Sequence, residues 1–230
     1  MKAYAITIRG NLVSEAGYKR LVESSRAVGN KFNINRFEAI TPDYVDMTLK
    51  SQKIKWNYPW VGKEIDIASG LTKSAYLTKN PKARVACALS HYLLWKTCVK
   101  LDEPVLVLEH DAVFTQAIDF DINDGGMFIV GINNPLGATR KARDYYNTIV
   151  NDPKWLQPVP SIDSHDVPQG LAGNSAYILK PIGAQKMLDI VKQYGLWPND
   201  AIMCKQLLPR LGVTKKFYTT IQGLQSTTTQ

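Results

Sequence analysis

Short apolar runs alternate with polar, helix-like segments along most of the chain. The clearest run, at 105–108, follows Pro104 and ends in Glu109, His110 and Asp111. A wholly apolar run of this length is typical of a central strand that is buried on both faces of a sheet. Similar runs predict further strands at 2–9, 33–40, 126–132, 175–179 and 213–218, the last of them at an edge.

Helix-capping residues divide these runs. Ser14 is predicted to cap a helix that ends near residue 28, before Gly29. Asn80 followed by Pro81 predicts the start of a helix that continues to about residue 100. Further helices are expected at 44–49, 181–195 and 199–207, the last capped by Asn199, whereas 51–79 and 133–172 are predicted as long loops.

This alternation predicts an α/β fold, with a mixed sheet flanked by helices. The 230 residues suit a single domain, expected at 1–225 and followed by a flexible tail at 226–230. No apolar stretch approaches the ~20 residues of a membrane-spanning helix, and the first residues do not form a secretory signal. The expected location is therefore the cytoplasm, of a bacterium or of a phage-infected host. Three cysteines without CxxC spacing predict neither a disulfide framework nor a zinc site.

The positive charge is concentrated in the first half of the chain. Residues 1–100 hold 17 Lys and Arg against 7 Asp and Glu, whereas residues 101–230 hold 11 against 13. Aromatic rings are interleaved with the lysines of 50–100, which favours a surface that binds a polyanion. The alternative is a set of lysines that only keeps the surface soluble. The predicted acceptor-binding residues are Lys53, Lys55, Trp56, Trp60 and Lys63.

The acidic end of the central run is the clearest candidate for chemistry. Ligands of open α/β sheets gather at the carboxyl ends of the strands. Carboxylates such as Glu109 and Asp111 can hold a hard divalent cation there, and the cation can hold a phosphate-bearing ligand. The alternative is a strand that simply enters solvent through polar residues.

Four segments in a fixed order resemble glycosyltransferase family 25, the lipopolysaccharide-type galactosyltransferases that also include procollagen galactosyltransferases. They are the helix-like segment at 84–95, which contains Cys87, Ser90, His91 and Trp95, the triplet at 109–111, the Ala-Tyr strand and Gly-Ala segment at 173–184, and the Pro-Asn-Asp at 198–200. The order and spacing agree from about 80 to 205. Two departures are His110, where the family usually has an acid, and basic or neutral residues around Arg84 in place of an acid before the cysteine.

The resemblance implies a GT-A-type domain, a nucleotide-sugar donor such as a UDP-sugar, Mn²⁺ or Mg²⁺, and inversion at the anomeric carbon. It implies Asp111 as metal ligand, with Glu109 on the metal or the ribose, whereas His110 binds the metal, binds a phosphate or only packs. The other residues expected to face the donor or the acceptor are Thr7, Arg9, Arg84, Ser90, His91, Gly170 and Gly173.

Inverting transfer needs a base within reach of the acceptor hydroxyl. Asp200 is the first candidate, although it could instead be an acid that stabilises a helix start. Asp166 is the second candidate and His165 the third.

The basic, aromatic 50–100 region favours a nucleic acid acceptor, namely 5-hydroxymethylcytosine in phage DNA. Lipopolysaccharide is the close alternative because it is also anionic. A third hypothesis is a non-catalytic DNA-binding module on a transferase fold. The sequence does not determine the sugar or the oligomeric state.

Overall fold

The computed structural model describes residues 1–138 and 140–224. The tail predicted at 226–230 lies outside the described residues. The strands are β1 Lys2–Thr7, β2 Ile34–Glu38, β3 Lys63–Asp66, β4 Leu71–Ser74, β5 Val105–Glu109, β6 Ala112–Phe114, β7 Ile129–Gly131, β8 Leu156–Pro158, β9 Ala176–Leu179, β10 Leu211–Thr214 and β11 Thr219–Ile221. The α-helices are α1 Leu12–Ala27, α2 Val45–Gln52, α3 Pro81–Leu101, α4 Ala142–Asn151, α5 Pro181–Tyr194 and α6 Asn199–Ile202, and single 3₁₀ turns occur at Pro42–Tyr44, Ile122–Gly125 and Pro135–Gly137.

A seven-stranded mixed sheet forms the centre of the fold, in the order β2-β1-β5-β9-β7-β10-β8. β1 is parallel to β2 and β5, and β9 is antiparallel to both of its neighbours, β5 and β7. Helices cover both faces of this sheet, so the predicted α/β class is confirmed. Two pairs outside the sheet, β3 with β4 and β6 with β11, complete the pairing of the named strands.

The central position of β5 explains its unbroken apolar sequence. Val105 and Val107 belong to the hydrophobic cluster that includes α3 and α5, whereas Leu106 and Leu108 belong to the cluster on the α1 face. All four side chains are fully buried. Because successive side chains of a strand point to opposite faces, a strand between two helical layers needs apolar residues at every position.

The helix that carries the Cys, Ser-His and Trp segment starts where the sequence predicts. The Asn80 side chain accepts a hydrogen bond from the Ala83 amide at 3.2 Å, and Pro81 occupies the first turn of α3. The helix ends at Asp102, whose φ of 51° is left-handed. One face of α3 meets the carboxyl end of β5, where Nε2 of His91 lies 3.1 Å from Oε1 of Glu109.

Two predicted helix starts were wrong, and both have a hydrogen-bonding reason. Asn11 caps α1 by accepting from the Ser14 amide at 3.0 Å, whereas the Ser14 hydroxyl inside the first turn accepts from the Ile8 amide at 2.8 Å. The Asn199 side chain accepts from the Cys87 thiol at 3.8 Å and does not cap α6, which is only four residues long.

Neither long segment predicted as a loop is without secondary structure. Residues 51–79 contain the β3–β4 hairpin, and 133–172 contain α4 and β8. The predicted last strand is also displaced: β10 is an interior strand between β7 and β8, and β8 lies at the edge. These strands have three or four residues each, too few to produce a recognisable alternating pattern.

Candidate functional site

Two carboxylates follow the buried part of β5. Glu109 ends the strand, and Asp111 lies in the turn before β6. The Oδ1 atom of Asp111 is buried and has no hydrogen-bond partner among the described residues. Gln222 secures this turn, because its side-chain amide donates to three main-chain carbonyls, at 3.0, 3.2 and 2.9 Å, in Gly17, His110 and Ala112. Backbone contacts therefore fix Asp111 in place while one of its carboxylate oxygens stays unsatisfied.

The environment of the turn perturbs both of its titratable side chains. Burial, together with the negative charge of Glu109, raises the pKa of Asp111 to about 7. Burial lowers the pKa of His110, although the charge of Glu109 and a hydrogen bond to the Ile6 backbone act in the opposite direction. A largely buried carboxyl group with a raised pKa, next to a second carboxylate, has the electrostatics expected where a cation is bound.

One face of α3 is turned toward these carboxylates. Arg84, Cys87 and His91 follow one another at spacings of three and four residues, which places them on the same side of the helix. The ring of His91 is fully buried, and its Nε2 lies 3.1 Å from Oε1 of Glu109. The other ring nitrogen, Nδ1, lies 2.9 Å from the hydroxyl of Tyr177 in β9.

Asp200 reaches the same site from α6. Its Oδ1 is buried and has no hydrogen-bond partner among the described residues. Burial raises the pKa of Asp200; the positive charge of Arg84 and a hydrogen bond from Tyr76 oppose that effect, whereas Glu109 adds to it. Three carboxylates and one guanidinium thus share a single electrostatic environment, although they come from segments up to 116 residues apart.

Aromatic rings form a wall beside this cluster. The guanidinium of Arg84 lies 4.9 Å from the centre of the Tyr76 ring, which stacks on Tyr58 at 5.8 Å. Tyr58 in turn contacts Trp197, with ring centres 5.9 Å apart. Burial raises the pKa of both tyrosines, so their phenols stay neutral hydrogen-bonding groups.

A second group of potential metal ligands fits a cation poorly. Ligand atoms of Cys87, His91 and Glu109 all lie within 4.8 Å of one another. Both ring nitrogens of His91 are already engaged in hydrogen bonds. Burial also raises the pKa of the Cys87 thiol well above its usual value, and a thiol binds metals only as the thiolate. The oxygen atoms of Asp111 and Glu109 are the better ligands.

Two residues that the sequence predicts to contact the donor or the acceptor instead make contacts within the protein. Ser90 is fully buried, and its hydroxyl donates to the Ala86 carbonyl and accepts from the Ile40 amide, both at 2.9 Å. The prediction that Ser90 faces the donor or the acceptor therefore does not fit, because the hydroxyl is fully buried and already donates and accepts within the protein. Gly170 packs beneath α6, where a Cβ atom would lie 2.8 Å from the Asp200 carbonyl oxygen. The absence of a side chain at Gly170 therefore allows the backbone of α6 to pack closely against it.

The remaining donor-facing predictions lie around the same sheet edge. Thr7 ends β1 and is buried, whereas the Arg9 side chain is exposed and 3.7 Å from Glu38. Gly173 has a φ of +65°, and its carbonyl accepts from the Asn133 side chain at 2.9 Å. Their roles as nucleotide and sugar contacts stay predictions.

The reserve base candidates are less suited than Asp200. Asp166 is exposed and accepts a hydrogen bond from the Thr72 hydroxyl at 2.7 Å, which lowers the pKa of its carboxyl group. A lowered pKa makes it a weaker base. His165 is also exposed, on the surface beside the hairpin.

The predicted acceptor residues form one surface next to the aromatic wall. Trp56 and Trp60 stack with their ring centres 5.1 Å apart and their planes 10° apart, and Trp56 meets Tyr58 edge-on. The lysines around them, Lys53, Lys55 and Lys63, are exposed. These tryptophans and lysines could contact a ligand that extends from the carboxylate cluster. Their role in binding an acceptor stays a prediction.

Sequence reasoning missed two positions and one contact. Cys87 is not among the predicted site residues, yet it lies between Arg84 and His91 on one face of α3, and their helical spacing is the signal that could have indicated it. Lys73 was not distinguished from the surface lysines, although it is 1% exposed. The contact between His91 and Glu109 leaves no signal in a single sequence, because the two residues lie on different elements.

The fold and the site define an α/β protein whose charged side chains gather at the carboxyl end of β5, the edge where open α/β sheets commonly bind ligands. The family model described as Glycosyltransferase family 25 (LPS biosynthesis protein) matches residues 15–203, and the chain belongs to this family. The family resemblance seen in the sequence is confirmed, and with it the assignment to the glycosyltransferases. No helix of the described residues is long and apolar enough to cross a membrane.

Solved structures with a similar fold are distant in sequence. The galactosyltransferase LgtC, in complex with donor and acceptor sugar analogs, is 11% identical; the match covers 93% of this chain and 73% of that chain, with a TM-score of 0.44. Apo mouse xyloside xylosyltransferase 1 is 10% identical over 91% of this chain and 83% of its own, with a TM-score of 0.39. No curated protein matches the sequence.

Proposed function

We propose that the protein is a metal-dependent glycosyltransferase that moves a sugar from a nucleotide-sugar donor, most simply a UDP-sugar, to an acceptor hydroxyl. The observation that carries this proposal is the convergence of Glu109, Asp111 and Asp200 on one site beside Arg84. Two of these carboxylates keep a buried oxygen without a partner. Buried charges of one sign are retained where a ligand of the opposite sign compensates them.

The carboxylate oxygens at this site suit Mn²⁺ or Mg²⁺ as metal ligands. Asp111 and Glu109 offer hard oxygen ligands, and the unpartnered Oδ1 of Asp111 is an atom that a cation would satisfy. When bound, the cation would neutralise the diphosphate of the donor and make it a better leaving group. Arg84, on the same face, would add a positive charge near that diphosphate, while Thr7 and Arg9 would hold the nucleotide base.

Asp200 is the proposed general base for inverting transfer. Its raised pKa, caused by burial, makes its carboxylate a stronger proton acceptor than an exposed aspartate. The orphaned Oδ1 is free to accept the proton of an acceptor hydroxyl. Tyr58 and Tyr76 would enclose that hydroxyl and limit access of water.

The surface of the β3–β4 hairpin favours a saccharide of lipopolysaccharide as the acceptor. Apolar side chains stand exposed on this surface, among them Val61 at 85%, Ile67 at 95% and Leu77 at 94%. Exposed lysines, such as Lys63 and Lys79, lie in the same segment. Apolar side chains combined with lysines suit an anionic glycolipid, which presents both negative groups and acyl chains. The family description, which names LPS biosynthesis, supports the same choice.

The second candidate acceptor is 5-hydroxymethylcytosine in phage DNA. The stacked pair Trp56 and Trp60 could hold a base, and the lysines around it could neutralise phosphates. The exposed aliphatic residues Ile67 and Leu77 have no partner on a phosphate backbone, which places this candidate second. The cytoplasmic location expected from the sequence stays a prediction.

Mass spectrometry of paired reactions tests these proposals. The protein, Mn²⁺ and a panel of UDP-sugars would be incubated with truncated lipopolysaccharide in one arm and with hydroxymethylcytosine DNA in the other. We expect a gain of one sugar mass on the lipopolysaccharide and none on the DNA. A gain on DNA alone would reverse the order of the acceptors. Binding of DNA without turnover of any donor would instead favour the non-catalytic DNA-binding hypothesis.

A further inference from the structure

Three buried side chains form a continuous hydrogen-bonded chain that ends at the partly exposed candidate metal ligand Glu109. The indole nitrogen of Trp95 lies 2.9 Å from the Tyr177 hydroxyl, which lies 2.9 Å from Nδ1 of His91. Nε2 of His91 then lies 3.1 Å from Oε1 of Glu109. Trp95, Tyr177 and His91 are each 0% exposed, so water does not compete for these bonds.

The direction of every bond in this chain follows from its first member. An indole N–H only donates, so the Tyr177 oxygen is the acceptor from Trp95. The Tyr177 hydroxyl is then left to donate its own hydrogen to Nδ1 of His91. With Nδ1 acting as an acceptor, the neutral ring carries its hydrogen on Nε2 and donates it to Glu109. Only this tautomer satisfies all the groups of the buried chain.

We propose that His91 is a positioning residue for Glu109. It holds Oε1 of that carboxylate and leaves Oε2 to a ligand, while the Tyr177 hydroxyl, itself held by Trp95, donates to Nδ1 and keeps the ring in this orientation. The inference rests on the proposed function only for the identity of that ligand. It also explains the histidine and the tryptophan of the family-like segment in α3, because both belong to the chain that orients Glu109.

The tautomer itself is measurable without any substrate. With three histidines in the sequence, ¹⁵N-labelled protein gives three sets of ring resonances that substitution can assign. We expect His91 to show the neutral form with its hydrogen on Nε2. In the Tyr177→Phe variant, which keeps the ring but removes the hydroxyl, the Nδ1 resonance of His91 should shift because that nitrogen loses its hydrogen-bond donor. Hydrogen on Nδ1 in the unmodified protein, or an unchanged Nδ1 resonance in the variant, would overturn the proposal.

Two substitutions of His91 separate positioning from packing. In His91→Gln the side-chain amide can reach the place of Nε2, whereas in His91→Asn it can reach only the place of Nδ1. Loss of a residue that orients a metal ligand typically costs 10–100-fold in metal affinity. We therefore expect His91→Asn to bind Mn²⁺ about 10–100-fold more weakly in calorimetry, and His91→Gln to retain most of the affinity.

The outcomes distinguish this inference from the proposed function. Equal Mn²⁺ affinity in both variants and the unmodified protein would overturn the positioning role, whatever the enzyme transfers. Absence of turnover with every nucleotide-sugar, combined with the expected tautomer and the expected order of Mn²⁺ affinities, would leave the positioning role intact and reject the transferase. If either His91 variant does not fold, the tautomer measured in the unmodified protein and in Tyr177→Phe still decides the question.

Discussion

Gly17 of α1 packs directly against the carbonyl oxygen of His110, and a Cβ atom at position 17 would lie 2.6 Å from that oxygen. The glycine thus allows the helix to support the turn that carries Asp111. The same turn is fastened on its other side by Gln222, whose side-chain amide bonds both the Gly17 and His110 carbonyls. The position of a candidate metal ligand is therefore set partly by a residue nearly a hundred positions away.

Replacement of Gly17 by alanine is expected to destabilise the protein, although alanine is the better helix former by ~1 kcal/mol. The added methyl group meets a backbone atom that cannot rotate away, and such overpacking costs about 1–3 kcal/mol. Urea denaturation should show a net loss of stability, and Mn²⁺ titration should show weaker binding because the turn shifts. Arg20→Ala, at an exposed position of the same helix, is the control. A gain of stability in Gly17→Ala would contradict the packing argument.

The helices and strands that the sequence predicts correctly are those marked by neighbouring residues, such as a helix cap or an unbroken apolar run. Asn80 with Pro81 marks the start of α3, and the unbroken run before Glu109 marks the buried central strand. The same run places the candidate acidic site at the end of that strand, and the role of that site stays a prediction. These predictions succeed because capping and burial on both faces each impose a requirement on consecutive residues.

The contacts between distant segments could not be predicted in the same way. Asp200 meets Arg84 only because α6 packs beside α3, and nothing in either segment encodes the other. Lys73 is a similar case. Its strand has only four residues, and the sequence alone predicts an exposed lysine there. Its burial is explained only by the ion pairs with Glu64 and Asp66, which the tertiary structure shows. Predictions for such residues depend on the tertiary structure.

Asp111→Asn should remove metal binding and reduce turnover by at least about 100-fold, because the diphosphate charge is no longer neutralised. The substitution is isosteric, and the Oδ1 atom has no hydrogen-bond partner. Because burial and the charge of Glu109 disfavour the charged form of Asp111, we expect the metal-free variant to be at least as stable as the unmodified protein at neutral pH. Mn²⁺ calorimetry, turnover and urea denaturation would be compared with Asp124→Asn, an exposed control. Full activity in Asp111→Asn would refute its assignment as a metal ligand.

Asp200→Asn and Asp166→Asn should separate the two base candidates. Loss of a general base typically costs about 10²–10⁴-fold in rate. We expect such a loss in kcat for Asp200→Asn, with donor binding retained, and less than about 3-fold for Asp166→Asn, because that carboxylate is exposed and its pKa is lowered. Initial rates at saturating donor provide the measurement. The reverse order of effects would assign the base to Asp166.

Lys73→Met should destabilise the β3–β4 hairpin, which lies beside the proposed acceptor-binding residues. The ammonium group lies 3.3 Å from Oδ1 of Asp66, 2.6 Å from Oε1 of Glu64 and 3.0 Å from the Asn57 carbonyl oxygen. Removing one partner of a buried ion pair typically costs 3–5 kcal/mol, because a charge is left uncompensated. Urea denaturation measures this loss. The double variant Lys73→Met/Asp66→Asn should recover part of it, whereas additive losses would show that the two residues are not coupled.

Asp66 should make the protein sensitive to acid. Burial acts to raise the pKa of its carboxyl group, but hydrogen bonds from Ser69 and Lys73, with the charge of Lys73, lower it below its usual value of 3.8. A carboxylate with a lowered pKa in the folded state stabilises the protein above the unfolded value, and that contribution is lost as the pH falls through the folded value. The thermal midpoint of the unmodified protein should therefore fall more steeply below about pH 4 than that of Asp66→Asn. Parallel curves for the two proteins would mean that Lys73 does not hold this carboxylate in its charged form.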